Sequence, residues 1–320
     1  MSVICVDLGA TNLKVALGDK KGNIQNKVKE RTDINHGPKG IANQIIEIIN
    51  SFNVDYNEIK GIGIGSLGPL DIKRGIILTA PNLPFNNIPI REPIEKAFNV
   101  RTCILNDCTA AVLGEKTFGL GKGVDNIVYI TISSGIGCGA FVNDKLILGK
   151  DGNAAEMGHT IIDISGALKC GCGKRGHWEA YCSGNNIPNY VKFWIKENNA
   201  YTDFEKSILY MLSNRNLENV KTKMVYDAAK AGDELCLNII ENVGRLNAIG
   251  IANVISAYDP ELITIGGSVT LNNSKLILEP IRRFINELSI NRVPKIEVTS
   301  LGHNIVLYGA LTMIFMDVSR

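Results

Sequence analysis

The sequence predicts an α/β protein built from two similar halves, and three observations carry that expectation. The first is a repeated unit in which a strand stops at a glycine turn. The apolar run Val3–Val6 ends in Asp7-Leu8-Gly9-Ala10-Thr11-Asn12, and the run Ile127–Ile132 ends in Ser133-Ser134-Gly135-Ile136-Gly137-Cys138-Gly139. Turns of this kind let backbone N–H groups approach phosphate oxygens without side-chain obstruction, so a polyphosphate held between the halves is the expected ligand. The second is the alternation of short apolar runs with segments of helical spacing. The third is length: 320 residues exceed the usual single domain, so two hydrophobic cores are expected.

Taken in order, Val3–Leu8, Leu13–Leu17 and Ile24–Lys29 are expected strands, with Asp19-Lys20-Lys21-Gly22-Asn23 turning the second into the third. Ile41–Ile49 has helical spacing and should cover one face of their sheet. Gly61–Ile64 is a further buried strand, ending at Gly65-Ser66-Leu67-Gly68-Pro69-Leu70-Asp71. Cys103–Leu105 stops at Asn106-Asp107, ahead of a helix from about Thr109 to Lys116. Gly119–Val124 is the expected crossing between domains, and Asn126–Ile132 and Gly139–Val142 start the second sheet. The interval Gly149–Gly184 is rich in Gly, Cys and His without regular period, as a ligand-lined loop region would be. Helices are expected at Ile187–Lys196, Asp203–Leu212, Val225–Ala231 and Leu235–Tyr258, the last broken at Asp259-Pro260. Leu262–Ile265 is a strand before Gly266-Gly267-Ser268, Lys275–Glu287 a helix, Ile296–Thr299 a last strand and Val306–Met316 a terminal helix.

Composition narrows the function. Net charge is +2 and no basic run resembles a nucleic-acid tract. No apolar stretch reaches membrane-spanning length and the first residues enter a strand directly, so a cytoplasmic protein without nucleic-acid or membrane partners is expected. Of the eight cysteines, Cys5, Cys103, Cys108, Cys138 and Cys236 lack ligand spacing and should be mostly buried thiols.

If the polyphosphate is ATP, Gly9, Gly135, Gly137 and Gly139 suit its oxygens, while Thr11, Ser133 and Ser134 add hydroxyl donors and Asn12 is a further nucleotide-binding candidate. Asp7 could hold Mg²⁺ or cap a turn; its place where the strand opens favours the metal. Asp107 is a candidate base: phosphorylating a sugar alcohol needs a carboxylate to take the hydroxyl proton. Asn106 could meet sugar hydroxyls with donor and acceptor atoms, and the pair also reads as a helix N-cap, a compatible role. His159, Cys170, Cys172 and His177 offer four donors suited to tetrahedral Zn²⁺, holding a loop from which Glu156 and Glu179 face substrate. His159 could bind zinc through one ring nitrogen and the sugar through the other. Glycoside hydrolysis by Glu156 and Glu179 is the competing carboxylate chemistry, but it leaves both glycine turns without a purpose.

Asp7–Asn12, Gly61–Asp71, Asn106–Glu115, Ser134–Gly139, Glu156-Met157-Gly158-His159, Cys170-Gly171-Cys172-Gly173 and Glu179-Ala180-Tyr181 together resemble the ROK family of sugar kinases, repressors and open reading frames. That resemblance implies an actin-like, hexokinase-like ATPase fold: two ribonuclease-H-like domains with a cleft between them. The domains would be 1–118 with 303–320, and 119–302 with the zinc loop. It makes Asp107 the catalytic base and gives Asn106, Glu156, His159 and Glu179 the hexose, with Asn82 in a sugar-side loop and Gly266 and Gly267 near the adenosine. It implies ATP, Mg²⁺ and structural Zn²⁺, a homodimer or homotetramer, and phosphorylation of a free hexose at its 6-hydroxyl, glucose first. N-acylmannosamine, N-acetylglucosamine and fructose kinases are the alternatives. Three positions depart from the family's pattern: His177 replaces a cysteine, Ser133-Ser134 a glycine–threonine pair, and Thr109 an asparagine. A sugar-sensing repressor would share these parts but carry a preceding helix-turn-helix, and here the core is expected to begin almost at Met1.

Overall fold

In the computed structural model, which describes residues 2–79 and 83–316, the chain forms two compact units. One is Met1–Tyr129 with Gly139–Ala155 and Thr299–Arg320; the other is Ile130–Cys138 with Glu156–Val298. The first part of the chain carries β1 (Ser2–Leu8), β2 (Asn12–Asp19), β3 (Ile24–Arg31), α1 (Gly40–Ser51), β4 (Ile59–Ser66), β5 (Leu70–Asp71), β6 (Ile76–Thr79), β7 (Asn86–Pro89), α2 (Arg91–Phe98), β8 (Thr102–Asn106) and α3 (Asp107–Phe118). Then come β9 (Ile127–Ile132), β10 (Ile136–Val142), β11 (Lys145–Leu146), α4 (Glu179–Cys182), α5 (Ile187–Glu197), α6 (Tyr201–Lys206), α7 (Ile208–Leu212), α8 (Thr222–Lys230) and α9 (Glu234–Tyr258). β12 (Leu262–Gly266), α10 (Ser268–Asn272), α11 (Ser274–Leu288), β13 (Lys295–Val298) and the terminal helix Ile305–Met316 complete it.

The expected duplication is visible in strand order. One five-stranded sheet runs β3-β2-β1-β4-β8 and the other β11-β10-β9-β12-β13, so each places its third, second, first, fourth and fifth strands side by side. In the first sheet β1 pairs antiparallel with β2 and parallel with β4, and β4 runs parallel to β8. Sheets with parallel centres need helices on both faces, which is why β1 is a nearly unbroken apolar run. Ile4, Val6 and Leu8 join Ile41, Ile45, Ile48 and Ile49 of α1 in one core.

Glycines cover the opposite face. In β4, Gly61, Gly63 and Gly65 alternate with Ile62 and Ile64, and the period of two turns all three glycines toward the terminal helix. A methyl group on Gly63 would lie 1.9 Å from the Ala310 carbonyl oxygen, and one on Gly65 2.3 Å from Val306. Gly63→Ala is therefore expected to lower stability by about 3 kcal/mol, because rigid helix backbone must retreat. Unfolding calorimetry tests this, and an unchanged melt would mean that the helix shifts freely.

Helix α3 is buried between that sheet and the terminal helix. Its Glu115 carboxylate is completely buried, accepting from Leu120 N at 2.9 Å and from the Thr299 hydroxyl. Burial raises its pKa above the ordinary 4.5, against the pull of those two donors. The folded chain then holds a proton the unfolded chain has released. The stability this adds is full below 4.5 and is lost as pH rises through the raised value. The stability difference between wild type and Glu115→Gln should fall across that window; a flat difference would remove Glu115 as the titrating group.

Three expectations need revision. The helix expected over Asp203–Leu212 is two helices, broken where Ser207 turns its hydroxyl to cap Tyr210 N at 3.0 Å. The second strand of the second half begins at Ile136, not Gly139, so Gly137 lies in a strand. Finally, β5, β6 and β7 form a small antiparallel sheet of strands two to four residues long, too short to show a period, and α2 follows them.

Candidate active site

In the first unit β1 and β2 meet at a tight turn in which Gly9 N donates to Asn12 O at 3.0 Å. The Thr32 hydroxyl donates to Gly9 O at 2.7 Å, and Thr11 and Asn12 are exposed. The strand register puts Asp7 opposite Lys14, whose Nζ lies 2.6 Å from the carboxylate and also donates to His303 O at 2.9 Å. Burial raises the Asp7 pKa, and Lys14 pulls it back. The candidate Mg²⁺ carboxylate thus already has a counter-ion.

At the end of β8 the chain turns into α3, and the side chain of Asn106 makes the cap. Its Oδ1 accepts from Cys108 N at 2.8 Å and Thr109 N at 3.3 Å. The expectation that Asn106 offers both donor and acceptor is corrected by this geometry: its acceptor is spent on the helix, leaving the Nδ2 donors. Asp107 opens the helix, where unpaired N–H groups favour a carboxylate, and its Oδ1 accepts from Cys108 N at 2.8 Å. Asn153, which no sequence pattern marked, clamps Leu70 by accepting from its N–H at 2.8 Å and donating to its carbonyl at 2.7 Å. A methyl on Gly68 would lie 3.3 Å from Asn106 Nδ2 and 3.7 Å from Asn153 Oδ1, so the three groups converge. Asn82 lies outside the described residues. Gly139 has a packing reason: a methyl there would meet Cys108 O at 2.2 Å.

In the second unit Ser133 N donates to Gly135 O at 2.9 Å, while Ser133 O and Ser134 O accept from Gly184 N and Asn185 N. Glu179, first residue of α4, accepts from Ile136 N at 2.9 Å through Oε2, and its Oε1 lies 3.3 Å from Cys170 Sγ. A methyl on Gly135 would come within 2.6 Å of Glu179. The glycine turn and the cysteine loop are therefore joined by one carboxylate. Gly266 ends β12, and Gly267 has φ +88° with a methyl position 2.4 Å from Ile132 O, which only glycine satisfies.

His159, Cys170, Cys172 and His177 are brought together, their donor atoms all within 4.8 Å of one another. His159 Nδ1 lies 3.3 Å from His177 Nδ1 and 3.7 Å from Cys170 Sγ; Cys172 Sγ lies 3.3 Å from His177 Nδ1. A tetrahedral zinc ion sets N···N edges of about 3.3 Å and N···S edges of about 3.6 Å, so the donor set fits. Burial first, then His159, lowers the His177 pKa, which keeps the imidazole neutral as a ligand must be. The Cys170 thiol is pushed up to about 12, by burial above all and also by Glu179, so a cation is what would make it a thiolate. Neighbouring Trp178, fully buried, anchors the loop by donating to Asn247 Oδ1 at 2.9 Å.

His159 faces the cluster with Nδ1, and its Nε2 lies 4.0 Å from Glu156 Oε2. Burial raises the Glu156 pKa, His159 lowers it and Glu179 raises it further. Ahead of Glu156 stands Ala155 at φ +65°, nearly buried. An L-residue there costs about 1–2 kcal/mol. Ala155→Gly should raise stability by roughly 0.5 kcal/mol, relief of strain outweighing added chain entropy. A lower melting point would show that the methyl contact matters more.

Comparison with known proteins gives one family. A family model described as the ROK family matches residues 3–316. A glucokinase of Pyrobaculum calidifontis is 33% identical over 311 residues, covering 97% of this chain and 94% of that protein. A xylose repressor of Caldicellulosiruptor bescii is 29% identical, with 99% of this chain and 78% of that protein covered. Among solved structures, a ROK family glucokinase from Streptomyces griseus in complex with glucose and AMPPNP is 30% identical with a TM-score of 0.82, covering 98% and 99% of the two chains.

Proposed function

As this chain belongs to the ROK family, we propose that it transfers the γ-phosphoryl group of ATP to the 6-hydroxyl of a free hexose, with glucose as preferred acceptor. Its relatives include a glucokinase held with glucose and AMPPNP and a ROK hexokinase from Thermus thermophilus, and its actin-like, hexokinase-like α/β fold is theirs too. The observation that carries the reading is the Asn106–Asp107 corner, where a capped helix start holds a carboxylate beside an amide with free donors.

In this reading Asp107 takes the proton of the 6-hydroxyl as the new phosphorus–oxygen bond forms. Asn106 Nδ2 donates to a sugar oxygen, and Glu156, Glu179 and His159 Nε2 meet other hydroxyls. Asn82 is carried as a further sugar-side group. The hydroxyls of Thr11, Ser133 and Ser134, the Asn12 side chain and the remaining N–H groups of the two turns meet the phosphates, with Gly9, Gly135 and Gly137 shaping those turns, and Gly266 and Gly267 lie toward the adenosine. Asp7 would hold Mg²⁺, which would supply positive charge to the phosphates beside the Lys14 ammonium. Zinc on His159, Cys170, Cys172 and His177 would supply structural cross-linking only, fixing the direction of His159 and Glu179. The chain is read as a cytoplasmic homodimer or homotetramer.

A coupled assay over glucose, mannose, fructose, N-acetylmannosamine and N-acetylglucosamine, with ATP and ADP as donors, tests the proposal. Glucose with ATP is expected to give the highest kcat/KM; a leading amino sugar would overturn the substrate. The likeness to a xylose repressor supports one other reading, sugar-controlled DNA binding. Specific duplex binding without turnover of any sugar would favour it.

A further inference from the structure

A basic groove of about 410 Å³ in the second unit lies outside every group assigned so far. One wall is a β-bridge that sets Lys169 beside Arg175. The other is a single face of α5, since Asn189, Lys192, Phe193 and Lys196 follow the i, i+3, i+4, i+7 spacing. Cations thus stand on both walls. Lys192 is paired with Glu218, and Arg175 Nη1 donates to the carbonyls of Gly166 and Ala167. Those two carbonyl bonds fix the Arg175 guanidinium, which has no carboxylate partner among the described residues. Lys169 and Lys196 are exposed and have no carboxylate partner among the described residues. Walls of one sign around a concave space repel each other and focus positive potential into it, and an anion relieves both. Phe193 adds an apolar surface on which a ring can lie.

We propose that this groove binds a small phosphate ester, the size of a hexose phosphate or a mononucleotide, with its phosphoryl group between Lys169, Arg175 and Lys196 and its body against Phe193. The volume suits a ligand of that size and the guanidinium fork suits a phosphoryl group. No phosphoryl transfer is required at this place, so the inference stands or falls apart from the proposed kinase reaction.

Calorimetric titration of the metal-loaded full chain at low ionic strength, with glucose and AMPPNP present at saturation to occupy the proposed kinase site and with hexose 6-phosphate, AMP and inorganic phosphate in separate runs, tests it. At least one ester should bind, and more tightly than inorganic phosphate; the two esters distinguish a sugar body from a nucleotide body. Lys196→Glu should weaken that binding about tenfold, and Lys169→Glu with Lys196→Glu should abolish it. Lys196 stands on an exposed helix end, so its variant should fold and keep the basal kcat and hexose KM. Unchanged affinity in Lys196→Glu, no ester binding by wild type, or inorganic phosphate binding as tightly as the esters would each overturn the proposal.

Discussion

Asp107→Asn lowers kcat roughly 10³-fold while hexose binding stays measurable: that is the expected result of removing the base. The substitution is nearly isosteric, and its consequences in the fold are small. Asn106, not Asp107, caps α3, so the helix start survives. An asparagine at 107 can still present an oxygen to Cys108 N, which Asp107 Oδ1 now accepts from at 2.8 Å. What disappears is the negative charge that can take a proton at neutral pH. The loss should therefore appear in kcat far more than in the hexose dissociation constant. Turnover within a few-fold of wild type would end the base assignment. A fall confined to sugar affinity would recast Asp107 as a binding group.

Metal removal has the second largest expected effect. The chain should carry about one zinc per protomer, and Cys170→Ser with Cys172→Ser should carry none. Losing the ion frees four donors that now lie within 4.8 Å of one another. Glu179 should shift as well, because it stands two residues after His177 and its Oε2 holds Ile136 N. Backbone amides across 159–179 should exchange faster, and hexose affinity should fall about tenfold. His177→Cys is the complementary test: a thiolate in place of the imidazole should slow extraction by a chelator. A metal-free chain with unaltered sugar affinity would refute the positioning role, and a chain that never binds zinc would refute the site.

Much of this is legible in the amino-acid sequence. The strand Leu262–Ile265 and the helix Leu235–Tyr258 match the structure within a residue, because glycines bound the first and a long helical period ending at Asp-Pro sets the second. The cysteine and histidine donors were found by their chemistry, as soft ligands crowded into one loop. Other features left no such trace. Asn153 is one asparagine among many until the fold sets it across Leu70 and beside Gly68. Lys14 reads as a strand residue with no partner until the β1–β2 register places it on Asp7. The alternating Gly61, Gly63 and Gly65 mark a buried strand, but their reason is a helix about 245 residues later in the chain, in van der Waals contact with it.

The sequence by itself determined the duplicated α/β plan, the turns that stop its first strands, and the candidates for base and metal donors. Those depend on local period, on turn chemistry and on which side chains can do a given job. Tertiary structure alone decided which donor atoms remain free. It gave Asp7 an ammonium partner, set Asn153 across Leu70, tied Glu179 to both the glycine turn and the cysteine loop, and set two walls of cations around a groove. The physical reason is that hydrogen bonds and charges act over a few ångströms, and chain folding chooses which distant residues come that close.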